Sequence, residues 1–522
     1  MQRTSDKIIT QQQAAPSLEQ TIKCWFTMSS RVLRYIALHV IAALFAAYSL
    51  AYEHYLYTVI GLLLVIYLLK IKHNTVISQL ISHWVLFVSY LLASSYWLIY
   101  CLIDFLHIST TVASLCLCIG SGIIACLFCI PSSIYHYLNR YYKFSLSLSC
   151  LLIIADYIRL HTMVATPWLL WSNHSFNISL FGYMLPLSGF FITGYLCLKI
   201  IEMIVNVLLG RFEKDAVWTI PLCGMIILTL IADSLIQFSQ VKNIKNTSEL
   251  NVHLMQNNHN HLHQRNAYLD WEDYLHKIHP SKQSTLNISS EGALSFTAKE
   301  MSISEFRKMT FLKNSLIGVN YHTGSQFIPM MIGTNQVHGS YQKEHLVPFG
   351  EYFPLPDWIM KHFGYYSAHR EATHQIRQQH DLIQYRNYTF YPMICYDLFF
   401  PIANRTDTDK ADAIVVIAEN TWYRESLLQP MFIRAAKMRA LESSKPLLLV
   451  LNRGPSSHID SQGKVVQQSA YNQNTTLKTK IYKHNQIQFT KSNIGPTTSI
   501  VIILIGELCA NIYWQRRRLR KV

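Results

Sequence analysis

Three polar side chains stand where short apolar runs end, and their types suit nucleophilic chemistry. The run Tyr391–Ile394 ends in the thiol of Cys395, Glu291 follows a predicted strand at 285–289, and another predicted strand leads into Lys343. A thiol is a modest nucleophile until it becomes a thiolate, which a nearby base and a nearby cation both favour. These residues therefore predict a thiol enzyme, and the alternative is that Cys395 is an ordinary buried cysteine.

The distribution of cysteines singles out the same residue. Of the eleven Cys in the chain, nine lie in long apolar segments and Cys24 shortly precedes the first of them. Cys395 is the only Cys between about 238 and 495. That region can therefore form no internal disulfide.

The order of these residues, each at a strand end, resembles the nitrilase (carbon–nitrogen hydrolase) superfamily. The block Lys343-Glu-His-Leu-Val-Pro-Phe-Gly-Glu-Tyr-Phe-Pro narrows the resemblance to the apolipoprotein N-acyltransferase family. The resemblance implies that Cys395 is the nucleophile, Glu291 the general base and Lys343 the residue that stabilises the transition state. It also implies that this domain is an αββα sandwich.

Four further residues match positions in the family's active site. The resemblance implies that Glu351 orients the lysine, and that Tyr396 and Asp397 support the nucleophile they follow. It also implies a role for Trp422, although a tryptophan here can equally be a packing residue. Neither a metal nor another cofactor is implied.

The chain departs from the family pattern at several positions. Ser290 stands where the family has Pro, and Asp397 is shorter than the family's Glu. Segment 419–424, Glu-Asn-Thr-Trp-Tyr-Arg, replaces Asn-Asp-x-Trp-Phe-Gly, and segment 451–454 replaces Thr-Asn-Thr-Gly. None of these changes removes the thiol, the carboxylate or the lysine.

Long apolar segments must position this chemistry at a membrane. Of the 522 residues, 50% are hydrophobic and only 14% are charged, against about a quarter in soluble proteins. A bilayer span needs roughly 20 apolar residues. We therefore expect about eight spans, of which the second is short and can be re-entrant; the apolar runs lie at about 33–52, 55–69, 76–103, 108–130, 144–163, 180–210, 217–237 and 496–514.

The positive residues predict which side of the membrane each loop faces. The net charge is +15, and the cations lie beside apolar segments, which indicates membrane topology and not nucleic-acid binding. Alternate loops are nearly free of Lys and Arg. The cytoplasmic cations are predicted to be Arg31, Arg34, Lys70, Lys72, Arg140, Lys143, Arg211, Lys214 and the Arg and Lys residues after 515.

These signals divide the chain into five parts. We predict a loosely ordered cytoplasmic tail at 1–32, a membrane domain of seven spans at 33–237, and an extracytoplasmic catalytic domain at 238–495. A transmembrane helix at 496–514 and a basic cytoplasmic tail at 515–522 follow. The expected location is the bacterial cytoplasmic (inner) membrane, with the catalytic domain on its periplasmic side.

Short apolar runs alternate with amphipathic stretches in the outer domain, which predicts an α/β sandwich. The predicted helices are 266–278, 302–314 and 428–443. The predicted strands are 250–256, 285–289, 315–321, 326–332, the run into Lys343, 388–395, 413–418 and 446–452.

Ionisable residues elsewhere have structural explanations. Lys199 and Glu202 lie in an apolar segment three residues apart, so they can pair on one helix face, although such residues are functional candidates by default. The histidines at 253, 259, 261 and 263 fit no standard zinc spacing and are expected in a loop.

The resemblance implies a two-step acyl transfer. Cys395 takes an acyl chain from a membrane phospholipid as a thioester, and the N-terminal amine of the diacylglyceryl-cysteine of an apolipoprotein then accepts it. Aromatic residues at 358, 363, 365 and 366 suit a lid at the lipid interface. We expect a monomer that binds no nucleic acid. The alternatives are a membrane-tethered amidase with water as acceptor, and a non-catalytic paralogue.

Overall fold

The structure has two parts: a membrane part, residues 18–211 and 494–519, and a catalytic part, residues 248–483. The computed structural model describes residues 18–142, 146–162, 165–211, 224, 248–259, 267–279, 281–282, 284–297, 299–323, 326–348, 350–352, 382–402, 405–483 and 494–519.

The membrane part is a bundle of helices. Its N-terminal helices are α1 (Leu18–Ala51), α2 (Tyr55–Lys70), α3 (Val76–Ser95), α4 (Leu98–Leu106), α5 (Thr110–Tyr141), α6 (Leu148–Leu160), α7 (Ser179–Ser188) and α8 (Phe190–Leu208). Five of the described helices are long and apolar enough to cross a membrane: α1, α3, α5, α8 and the helix at the C-terminus. The predicted span at 217–237 lies outside the described residues.

The predicted spans differ from the helices in several places, and the described residues of the run 144–163 contain only the 13-residue α6. Helix α1 begins at Leu18, inside the segment predicted to be a loosely ordered tail. The run 76–103 is divided between α3 and α4 by a turn at 96–97. The run 180–210 is divided at Gly189, whose φ of +79° is a conformation that glycine adopts without steric cost.

Two buried ion pairs connect helices that are distant in the chain, and they correct the expected pairing of Lys199 with Glu202. Lys199 instead lies 3.4 Å from Glu507, and Glu202 lies 2.6 Å from Lys70. Glu202 also accepts hydrogen bonds from the N–H and the hydroxyl of Ser149. Lys70, predicted to lie in a cytoplasmic loop, is therefore a buried residue of the bundle.

The catalytic part contains two seven-stranded sheets. The first has the order β14-β1-β2-β4-β5-β7, with β3 paired to β4. Its strands are β1 (Ser248–Gln256), β2 (Leu286–Ser289), β3 (Leu294–Thr297), β4 (Ser315–Thr323), β5 (Gln326–Gly333), β7 (Ser340–Gln342) and β14 (Thr475–Lys483).

The second sheet has the order β13-β12-β11-β10-β9-β8-β6. Its strands are β6 (Val337–His338), β8 (Ile383–Tyr385), β9 (Tyr388–Ile394), β10 (Ala413–Ala418), β11 (Leu447–Leu451), β12 (Ser457–Ile459) and β13 (Val465–Gln468). Its central strands β9, β10 and β11 are parallel and wholly or largely buried. Parallel strands with both faces covered have this continuous apolar character.

Helices cover the outer faces of the two sheets. They are α9 (Ala267–Ile278), α10 (Ile303–Arg307), α11 (Arg405–Lys410) and α12 (Leu428–Ser443), and the C-terminal membrane helix is α13 (Pro496–Leu519). The side chains of Tyr274 and Phe306 on α9 and α10 pack in one core with Ile317 of β4. The predicted membrane domain and αββα sandwich are therefore confirmed as the fold class.

The predicted helix 302–314 is shorter than expected. Ser302 caps α10 as a good N-cap residue does, but the helix ends at Arg307 and only a 3-10 turn, Thr310–Leu312, follows. Asn335 accounts for this end, because its N–H donates to the Arg307 carbonyl and its side chain donates to the carbonyls of Met309 and Thr310.

Candidate active site

Cys395 is held in an unusual backbone conformation at the end of β9. It is the first residue of a 3-10 helix, Cys395–Phe399, and its φ is +50°. Non-glycine residues in this left-handed region cost about 1–3 kcal/mol and cluster at functional sites, where the surrounding structure maintains them. The thiol is buried, and Sγ lies 3.9 Å from the carbonyl oxygen of Glu419.

Asp397 maintains this turn through four hydrogen bonds. One carboxylate oxygen accepts the Ile394 N–H at 3.0 Å and the Tyr341 hydroxyl at 3.0 Å. The other accepts the backbone N–H of His345 at 2.8 Å and its ring Nδ1 at 2.9 Å. Burial raises the pKa of Asp397, but the His345 interactions and the Ile394 N–H outweigh burial and hold the pKa below its ordinary value.

Lys343 lies between two carboxylates. Its Nζ is 3.1 Å from Glu291 and 2.6 Å from Glu351, and its side chain is 1% exposed. Glu351 is itself fixed, because its second oxygen accepts the Val347 N–H at 2.8 Å. Burial lowers the pKa of Lys343, but the two carboxylates outweigh burial and raise the pKa well above its ordinary value, so the ammonium is cationic.

The electrostatics of the site keep Cys395 protonated at rest. Burial and the Glu291 carboxylate raise the pKa of the thiol well above its ordinary value, and Lys343 only partly opposes them. Burial likewise raises the pKa of Glu291. The sequence suggested that the base and the cation would favour a thiolate, but the buried site holds two carboxylates against one lysine. The thiol, and not the thiolate, is therefore the resting form of Cys395.

Segment 419–424, which follows β10, touches Glu291 from the other side. The amide N–H of Glu419 donates to the Glu291 carboxylate at 2.9 Å. The side chain of Glu419 accepts the Thr421 N–H at 2.7 Å and the Asn452 amide at 3.2 Å. This segment therefore helps to orient Glu291.

Tyr396 joins the site to the membrane part. Its hydroxyl donates to the carbonyl of Ala165, and its ring centroid lies 6.1 Å from that of Trp168. Ala165 and Trp168 belong to the connection between α6 and α7. The residue after Cys395 therefore faces the helix bundle.

Trp422 lies in a 3-10 turn, Thr421–Tyr423, which packs on the membrane part. Its carbonyl accepts a hydrogen bond from the thiol of Cys101 at 3.4 Å, and the ring of the adjacent Tyr423 meets Trp97 edge to face at 5.1 Å. Burial raises the pKa of Tyr423 well above its ordinary value, and a charge on Cys395 would raise it further. Tyr423 is therefore near enough to Cys395 to sense its charge, which its sequence context did not indicate.

The structure brings together most of the predicted site residues. Glu291, Lys343 and Glu351 form one hydrogen-bonded group whose charges act on Cys395. The sequence analysis missed Tyr341, His345 and Glu419, all of which orient site residues by hydrogen bonds. His345 lies in the family block and Tyr341 two residues before it, and this closeness to Lys343 is the signal that could have found them.

The histidine cluster and the aromatic segment from the sequence analysis lie partly or wholly outside the described residues. Among the residues that the structure describes, no group of three or more His, Cys, Asp and Glu side chains could hold a metal ion. The expectation of a loop is wrong for His253, which lies in β1. The ring of His259 lies 3.2 Å from Asp270 and 3.1 Å from Asp273. The histidines at 261 and 263 and the aromatic residues at 358, 363, 365 and 366 lie outside the described residues.

Comparison with known proteins agrees with this architecture. Residues 328–488 match the carbon–nitrogen hydrolase family, a stretch that includes Lys343 and Cys395 but begins after Glu291. The apolipoprotein N-acyltransferase of Pseudomonas putida is 26% identical over 174 residues, or 33% of this chain and 34% of that protein. That of Haemophilus influenzae is 32% identical over 142 residues, 27% of each chain.

A longer match is the apolipoprotein N-acyltransferase of Pasteurella multocida, which is 24% identical over 361 residues, 62% of this chain and 66% of that protein. The three matched segments span between 27% and 66% of the relatives' lengths.

Proposed function

The chain contains a carbon–nitrogen hydrolase domain similar to the apolipoprotein N-acyltransferases, and from this premise we propose that it is a phospholipid-dependent N-acyltransferase of lipoprotein maturation. The observation that carries the proposal is the cationic Lys343, held by Glu291 and Glu351 beside Cys395. Such a group can stabilise the oxyanion that forms when a thiol attacks an ester.

In the first step, the sulfur of Cys395 bonds to the carbonyl carbon of a phospholipid acyl ester. Glu291 accepts the thiol proton during attack, and Lys343 stabilises the tetrahedral oxyanion. The ester C–O bond then breaks, and the departing alkoxide takes the proton from Glu291. The products are a thioester on Cys395 and a lysophospholipid.

In the second step, the α-amine of a diacylglyceryl-cysteine attacks the thioester. Glu291 accepts a proton from the amine, the C–S bond breaks, and the proton returns to the sulfur of Cys395. The acyl chain becomes an amide on the acceptor. An amine attacks a thioester faster than it attacks the original ester, which explains a covalent intermediate.

A transfer assay tests this proposal. The purified protein in nanodiscs would be given phosphatidylethanolamine with a deuterated acyl chain and a synthetic diacylglyceryl-cysteine peptide. We expect deuterated triacyl peptide and lysophospholipid in equal amounts, and no product from a peptide with an acetylated N-terminus. Free deuterated fatty acid in place of triacyl peptide would mean that water is the acceptor, and the acyltransferase assignment would be wrong.

A further inference from the structure

Arg424 forms a two-point salt bridge between the catalytic part and the membrane part. Its Nε donates to one oxygen of Asp104 at 3.0 Å, and a terminal nitrogen donates to the other at 2.6 Å. Its guanidinium also lies 5.1 Å from the ring centroid of Tyr100. Asp104 and Tyr100 both belong to α4, and the Asp104 side chain is 9% exposed. Paired donors of this kind give geometric specificity as well as attraction.

The backbone of Arg424 is strained. Its φ is +46° and its ψ is −160°, a region that glycine occupies readily and other residues rarely do. A side chain at such a position must be held there by its contacts. The salt bridge to Asp104 and the Tyr100 ring hold its side chain, and its carbonyl accepts a hydrogen bond from the Gln429 amide.

The same segment reaches the active site five residues earlier. The N–H of Glu419 donates to the base Glu291, and the carbonyl of Glu419 lies beside the Cys395 sulfur. Between the two ends, the turn Thr421–Tyr423 rests on α4 and on the residue just before it: the Cys101 thiol donates to the Trp422 carbonyl, and Tyr423 packs on Trp97. One end of the segment touches the base and the other is fixed to a membrane helix.

We propose that Arg424 and Asp104 are a pair of positioning residues that fix segment 419–424 on α4 and thereby hold the Glu419 N–H on Glu291. This inference rests on the proposed function, because it assigns the pair to the acylation of Cys395. The Glu419 N–H favours the charged form of Glu291. Breaking the Arg424–Asp104 pair should therefore raise the pKa of Glu291. A smaller fraction of Glu291 would then be ionised at neutral pH.

The test follows the acylation of Cys395 by p-nitrophenyl butyrate as a burst of p-nitrophenol, measured against pH with the full-length protein in nanodiscs. Arg424→Gly suits the test because glycine relieves the strain at this φ. We expect a burst rate about 10- to 100-fold lower at neutral pH, since small misplacements of reacting groups have costs of this order. We also expect the acidic limb of the profile to move to higher pH, which a merely structural role would not cause.

Asp104→Asn should have the same two effects, and the Asp104→Asn/Arg424→Gly double variant should be no slower than either single one. The matched control is Lys437→Gln, which breaks another salt bridge between the two parts, Lys437 to Glu53 at 2.5 Å, away from segment 419–424. Its profile should coincide with that of the wild type.

Unmoved acidic limbs in both single variants, or fully additive losses in the double variant, would overturn the positioning role. The proposed function would be unaffected by either result, because the wild type would still transfer an acyl chain from phospholipid to the peptide. A wild-type burst without transfer from phospholipid would instead overturn the proposed function and leave the positioning pair measurable.

Discussion

At the scale of single residues, the balance of charge around Cys395 determines its reactivity. Two glutamates and one lysine share a buried site, so the thiol is protonated until a base removes its proton. This arrangement means that, in the proposed reaction, the thiol loses its proton only as it attacks the ester, because the thiolate is the reactive form. It also gives Glu291 and Lys343 opposite influences on the thiol pKa.

Variants of these two residues should shift the reactivity of Cys395 in opposite directions. In Lys343→Met the thiol loses its stabilising cation, so its pKa rises and the alkylation rate by iodoacetamide should reach its midpoint at higher pH. In Glu291→Gln a carboxylate that raises the thiol pKa is lost, so the midpoint should move to lower pH. The measurement is the rate of labelling of the Cys395 peptide against pH by mass spectrometry.

Acyl-enzyme formation should slow in both variants despite these opposite shifts. Loss of the base costs about 10²–10⁴-fold and loss of the oxyanion stabiliser about 10²–10³-fold. Lys410→Met, which alters a surface lysine paired with Asp407, is the control and should change neither quantity. Three coincident alkylation profiles for the wild type and the two active-site variants would show that neither residue is coupled to Cys395.

At the scale of elements, the turn Cys395–Phe399 depends on Asp397. Asp397→Ala removes the acceptor of four hydrogen bonds, so it should lower the free energy of unfolding by roughly 3–5 kcal/mol, as breaking a buried charged network does. The pKa of Asp397 is depressed in the folded protein, so this stability is present above the ordinary carboxyl pKa and is lost as pH falls through the folded value.

Chemical denaturation at neutral and acidic pH measures this prediction. The wild type should lose its advantage over Asp397→Ala as the pH falls below about 4, where the unfolded carboxyl is protonated. Asp407→Ala, on the surface helix α11, is the control and should cost at most about 1 kcal/mol. Equal stability of Asp397→Ala and the wild type at neutral pH would contradict this role for the carboxylate.

The elements that carry the site could be predicted because they are apolar runs that end in polar residues. Strands β2, β9 and β10 are continuous buried runs, and their ends lead to Glu291, Cys395 and the segment 419–424. Strands β12, β13 and β14 were missed because they carry many polar side chains, and β13 is mostly exposed. Their positions depend on pairing partners, which a local pattern does not contain.

The site was predictable from motifs only where side chains act directly. The Glu419 amide and the turn at Cys395 involve the backbone, which every residue type shares, so no residue type marks them. The ion pairs Lys199–Glu507 and Lys70–Glu202 escaped prediction for a related reason. Helix neighbours can be read from spacing, but partners from distant helices follow from packing of the bundle.

At the scale of the whole molecule, the C-terminal helix α13 is fixed to the bundle by buried charge. Glu507 of α13 accepts hydrogen bonds from the Tyr195 hydroxyl at 2.6 Å and from the Ser147 N–H at 3.3 Å, besides pairing with Lys199. Because α13 follows the catalytic part in the chain, this pairing connects that part to the helix bundle.

Removing one member of this pair should destabilise the bundle more than removing both. Lys199→Met removes the cation that pairs with the buried Glu507, and breaking a buried ion pair by removing one partner costs roughly 3–5 kcal/mol. Lys199→Met/Glu507→Gln should recover much of the loss. The thermal midpoint in detergent measures both, with Lys480→Met as a surface control that should not change it. A double variant less stable than Lys199→Met would contradict this account.

The orientation of the molecule is a separate prediction from the asymmetry of its Lys and Arg residues. We expect the catalytic domain on the outer face of the cytoplasmic membrane and both termini in the cytoplasm. Protease added to spheroplasts should cut within the catalytic domain and spare epitope tags at the two ends. Cleavage of the terminal tags with the domain intact would reverse the orientation.

The central claim is that Cys395 carries a lipid-derived acyl chain, and the mass of the intact protein tests it most directly. After incubation with phosphatidylethanolamine of one defined acyl composition, without acceptor, the wild type should gain the mass of one fatty acid less one water, in a thioester that neutral hydroxylamine cleaves. The Cys395→Ala protein should gain nothing. An unchanged wild-type mass, or an equal gain in the Cys395→Ala protein, would contradict the account.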